Sequence, residues 1–191
     1  MSIVTLNDRG VRSVTAFGSL SGGSMVFISK VTASSSATID FTSGIDSTYK
    51  EYMFTFKNIH PATYQARFGF QADTGTNTNY NQTMTTSWFY AYHQEDGNSG
   101  SSGYFGDADQ AQGTSFQNIT WNIDNSNDDN VGGYLHLFNP SSTTFVKHFI
   151  AKTQFNYGSS SESTENVYCA GYFNTTTALT RVQFKMSSGN I

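Results

Sequence analysis

A chain of 191 residues with 37% hydrophobic and 13% charged residues is long enough for one domain plus a short arm. A net charge of −4 with only 10 Lys and Arg excludes an electrostatic footprint for nucleic acid, because scattered single cations cannot neutralise a run of phosphates. No apolar run approaches the ~18–20 residues of a membrane helix, so no membrane insertion is expected. Ser, Thr and Asn are abundant (25, 24 and 16 residues), a composition that alone would suit disorder, but 16 Phe and 11 Tyr supply the material of a packed core.

The first residues, MSIVTLNDRGVRS, lack the basic-then-apolar order of a secretory signal. Residues 1–23 carry isolated apolar side chains and end in the Gly/Ser run at 18–23, which reads as an N-terminal arm with a hinge; the competing reading is a first edge strand followed by a loop. From residue 24 to 191 the pattern is that of one β domain, with no window of helical periodicity. Ser24–Val31 alternates Met25 and Phe27 against Val26, Ile28 and Lys30, and predicts the first strand. Ala37–Phe41 follows, then Tyr49–Ile59, where Tyr52, Phe54 and Phe56 alternate with polar neighbours. Ala66–Ala72 alternates Phe68 and Phe70 against Arg67, Gly69 and Gln71. Thr83–His93 places Met84, Trp88, Tyr90 and Tyr92 together.

A long polar loop is expected over 94–113, with its tip at Gly100-Ser-Ser-Gly103, and a short run at Phe116–Ile123 leads into the Asp/Asn loop 124–130. Strands are then expected at Gly132–Phe138, Phe145–Phe155, Asn166–Phe173 and Leu179–Met186. About ten strands at this spacing predict an all-β fold, an antiparallel β-sandwich or jelly roll with an N-terminal arm.

Constellations that carry chemistry are incomplete. Asp124, Asp128 and Asp129 in DNSNDDN resemble the start of a calcium loop, but Asp129 stands where the loop needs Gly and Leu135 where it needs Glu. A solvated Asn/Asp turn is the simpler reading, leaving these three as weak calcium candidates. His136 and His148 lie on strands that a hairpin would pair, with residue 136 nearest 147 if the turn centres between Ser141 and Ser142. Cys169 is alone, so no internal disulfide forms and synthesis in a reducing cytoplasm is expected. No nucleophile elbow, zinc motif or phosphate loop occurs, and the expectation is a non-enzyme without cofactor or metal.

NDRGVRSVTAFGS near the N-terminus, TSGIDSTYKEYMFTFKNIHPAT at 42–63, FNPSSTTFVKHFIA at 138–151 and AGYFNTTTALTRVQFKMSSGNI at 170–191 resemble virion structural proteins of marine, cyanophage-like tailed phages. The resemblance covers nearly the whole chain and implies a β-rich particle component in the virion, made in the host cytoplasm, without an assigned biochemical role. Within it two roles compete, a tail-fibre or knob module for host-surface attachment and a capsid decoration or other head protein; a free-standing carbohydrate-binding module is the alternative outside it. Under the first, Tyr80, Tyr104 and Phe105, which sit in Gly/Asn/Asp-rich loops, are the candidates for a host-surface glycan or receptor. Arg9 and Arg12 would dock the arm on an acidic surface of other virion proteins, with Phe17 as apolar anchor. A homo-oligomer, a trimer first, is expected from the same resemblance. The similar proteins run on past Ser-Ser-Gly-Asn into another apolar strand, so a sheet partner beyond Ile191 is expected to be missing or supplied by a neighbour.

Overall fold

The structure, a computed structural model, describes residues 25–158 and 162–191. Its described residues are all β, with ten strands in two antiparallel sheets packed as a sandwich. The strands are β1 (Ile39–Phe41), β2 (Glu51–Ile59), β3 (Phe68–Thr74), β4 (Met84–Gln94), β5 (Gly100–Tyr104), β6 (Gln117–Asn118), β7 (Val131–Phe138), β8 (Lys147–Tyr157), β9 (Ser163–Phe173) and β10 (Leu179–Met186). One sheet has four strands in the order β1-β10-β3-β6, and the other has six in the order β2-β7-β8-β9-β4-β5. The chain crosses repeatedly from sheet to sheet, which ties the two layers together along their length.

Alternation explains the core. On β2, Tyr52, Phe54 and Phe56 turn inward, while Glu51, Met53 and Thr55 turn out. Phe184 of β10 is the hub: its ring lies 5.4 Å from Phe54 and 5.2 Å from Phe56 in the opposite sheet, and 5.7 Å from Phe68 on the neighbouring strand. Phe70 meets Phe149 edge-on at 4.9 Å, extending the aromatic layer toward β8. Tilted and edge-to-face ring pairs of this kind add to the stabilisation from burial itself.

Three expectations need correction. Met25–Val31 is not a strand: the segment is irregular, and Met25 and Phe27 are nearly four-fifths exposed. The reason is pairing, because no strand among the described residues is hydrogen-bonded to it. The reverse holds for Gly100–Gly103, expected as a loop tip, which begins β5 and pairs with β4 through the turn at Asp96 and Gly97. β3 is covered on both faces. Gln71 and Asp73 are fully buried because the segments 80–82 and 114–115 fold over them: Gln71 Nε2 donates to the carbonyls of Gln82, Thr114 and Ser115, and Asp73 accepts from the Tyr80 N–H and from Gln82 Nε2. Finally, His136 pairs with Ile150, not with residue 147. The connection between the two strands centres on Thr143, not between Ser141 and Ser142, and Lys147 at the start of β8 is fully buried, with Nζ donating to the Thr175 carbonyl.

Candidate functional site

The inner face of β4 runs from core to solvent. Met84 and Trp88 are fully buried, whereas Tyr90, Tyr92 and Gln94, two residues apart on the same face, are only partly buried. The strand outruns the opposite sheet, whose edge strand β6 has only two residues. In place of a long strand, the flanking loops bring Phe105 and Trp121 over the rings of β4. Phe105 stands edge-on to Trp121 at 4.7 Å and lies 5.7 Å from Trp88, while Tyr90 and Tyr92 stack on each other at 6.1 Å. The result is an aromatic-walled cleft of about 310 Å³.

Both indoles of the wall are held in place. Trp88 Nε1 donates to the Asn118 carbonyl, which locks the indole in place. The Arg67 guanidinium lies 3.4 Å from the centre of the Trp121 ring, and its Nε donates to Asn122 Oδ1. Stacking of a cation on an aromatic face of this kind holds the indole's orientation at little conformational cost. Tyr157 closes one side, and its phenol is held above the usual range by burial first and by Glu165 second.

Glu165 is the one carboxylate among the described residues lining the cleft. It lies on the inward face of β9, opposite Tyr92 on one side and Phe155 on the other. Burial pushes its carboxyl up to about 7, with no cation or donor among the described residues acting to hold it ionised. Near neutral pH the same side chain can therefore donate or accept a hydrogen bond. With the Gln94 amide and Ser163 at the mouth, the cleft offers ring faces for C–H surfaces and a few polar groups that orient hydroxyls. A single carboxyl group does not make the acid/base pair that glycosidic cleavage uses.

Of the residues singled out in the sequence, Phe105 lines this cleft. Tyr104 does not: it sits on the outer face of the six-stranded sheet, about half exposed, with its ring edge-on to Phe89 at 5.3 Å. Tyr80 is a correction, since it is buried, with its N–H bonded to Asp73, and it presents no stacking face. Arg9, Arg12 and Phe17, with the hinge at 18–23, lie outside the described residues. Asp124 accepts from the N–H and hydroxyl of Ser126 in a local turn, and Asp129 bonds its carbonyl to the His60 ring. Burial first, then Asp124 and Asp128, raise the Asp129 carboxyl above its ordinary range. Among the described residues no group of three His, Cys, Asp or Glu is placed to hold a metal ion.

Trp121, Tyr157 and Glu165 were not singled out in the sequence. The only signal was the run Trp88, Tyr90, Tyr92 on one strand face, which does not reveal where the opposite sheet stops. Among the described residues, no helix is long and apolar enough to cross a membrane. Compared with family models, curated proteins and solved structures, the chain matches none.

Proposed function

We propose that this chain is a non-enzymatic structural protein of a tailed-phage virion, a tail-fibre or knob module displayed outward, which attaches to a host-surface glycan through the Trp121–Glu165 cleft. The carrying observation is the cleft itself: ring faces at its walls, one neutralisable carboxyl at its side, and an amide at its mouth. Sugar rings present flat C–H faces flanked by hydroxyls, and that is the chemistry such a lining fits. The sequence resemblance supports the virion setting.

Both tryptophans of the chain line the cleft, so selectively excited tryptophan emission reports on it. Titration with fragments of host-surface polysaccharide should shift this emission saturably, and Tyr92→Ala should abolish the shift. An unchanged emission across a panel of neutral and acidic fragments would overturn the glycan reading. Immunogold labelling of intact particles tests the setting: label on the tail supports a fibre or knob.

A second reading, a head decoration protein, draws on a different surface. One cross-strand rung on the outer face of the six-stranded sheet runs Tyr104, Phe89, Tyr168, Lys152, Tyr134. A row of half-exposed rings suits a protein lying flat on a shell. Label distributed over the head would favour it.

A further inference from the structure

We propose that Met25–Val31 is a strand without its partner, and that in the assembled protein it pairs antiparallel with the open β2 edge of a second copy of this chain. The inference does not depend on the cleft.

The segment has the composition of a strand, Met-Val-Phe-Ile-Ser-Lys-Val, and alternates in period two. Among the described residues, the backbone of 25–33 makes no hydrogen bond to any other segment, and five of its apolar side chains are exposed. It borders a hollow of about 980 Å³ whose opposite wall is β2, with Ile28 resting on Gly44 at the rim. It thus reaches the edge in its own chain without pairing there.

β2 is an end strand of its sheet, and its outer side carries no partner among the described residues. The Asn139 N–H donates to the Lys50 carbonyl, so the even-numbered residues of β2 bond to β7, and Glu51, Met53 and Thr55 turn their N–H and C=O groups to the open side. An exposed row of unpaired backbone groups is a template for an added strand.

Charge selects the direction. Set antiparallel with Lys30 beside Glu51, the segment places Ile28 beside Met53 and Val26 beside Thr55 outside, and Met25 and Phe27 beside Phe56 and Phe54 inside. The parallel alignment that keeps Phe27 beside Phe54 sets Lys30 against Lys57, and among parallel registers over β2 with these residues inside only the one starting before Glu51 gives Lys30 an acidic neighbour. Donor segment and acceptor edge are different surfaces, so copies joined this way close into a reciprocal dimer or a ring.

The test uses full-length single-cysteine variants, Ile28→Cys and Met53→Cys, mixed and treated with a short thiol-reactive bifunctional cross-linker. The native Cys169 is buried and its thiol pushed up, so it stays silent. A covalent heterodimer as the dominant product is expected, with much less product when Val26→Cys replaces Ile28→Cys. Thr55→Pro, which removes an outward N–H, should lose the cross-link and leave monomer by light scattering with an unchanged circular dichroism spectrum. The proposal is overturned if the mixed variants do not cross-link. It is equally overturned if only the double variant reacts, within one chain, because the segment would then close its own edge.

Discussion

The two sides of the six-stranded sheet make an instructive pair. At β4 and β9, aromatic side chains rising out of the core are met by Phe105 and Trp121, and the polar groups among them are fixed by Asn118, Asn122 and Arg67. At β2, apolar side chains and an unpaired backbone edge face a hollow and an irregular, exposed segment. The first region has shape and oriented polar groups, so it can discriminate among small ligands. The second has backbone bonding capacity and apolar surface, which suit another polypeptide strand. Exposed aromatic content alone does not distinguish them; the satisfaction of the neighbouring polar groups does.

Core and flank should separate most clearly in stability. Phe184→Ala removes the hub ring that joins β2 to the opposite sheet and should cost about 3–5 kcal/mol in urea unfolding. Phe27→Ala, of the same chemistry on the exposed segment, should cost less than about 0.5 kcal/mol in the monomer. Equal losses would mean that the segment belongs to the monomer's core.

A smaller effect sharpens the contrast between satisfied and open polar groups. Gln71→Ala leaves the carbonyls of Gln82, Thr114 and Ser115 without their shared donor and should cost about 1–3 kcal/mol, measured by the same unfolding curve.

The cleft should announce itself through pH. Glu165 keeps its proton up to about 7 in the folded chain, against 4.5 as its ordinary value. Between those values the folded state binds more protons than the unfolded one, so stability is greatest below 4.5, declines as pH rises, and levels off above 7. Thermal midpoints of the native chain should therefore fall between pH 5 and pH 8 relative to those of Glu165→Gln. Parallel pH profiles for the two proteins would contradict the burial of this carboxyl. The smallest change is expected at Tyr104→Ala, whose ring lies on the outer face: stability within about 0.5 kcal/mol and glycan response unaltered, by fluorescence titration.

How far the sequence could be read follows from what a strand is. Leu179–Met186 was legible to the residue, because the alternation Val182, Phe184, Met186, joined to Leu179 across a bulge, is bounded by polar turns. Gly100–Gly103 was misread for lack of any side-chain pattern, and Met25–Val31 for having a good one. These errors mirror each other: pairing creates a strand, and pairing is not written in a segment alone. The buried face of β3 was hidden for a related reason, since Gln71 and Asp73 look wet until distant loops supply their partners. In the cleft, the ladder Trp88, Tyr90, Tyr92 was visible, but its depth depends on β6 being two residues long. Glu165 carried no local signal.

The last described residue has a topological consequence. Ile191 and Ser36 exchange backbone hydrogen bonds in both directions, so the folded path from Ser36 to Ile191 returns to its own start. Such a path is close to a closed loop, and chains of that kind accept circular permutation. Joining the end at Ile191 to Ser36 by a short linker and opening the chain at the exposed Asp96–Asn98 turn should preserve the sandwich. It would also release residues 25–35 as a free peptide module, able to be supplied or withheld at will.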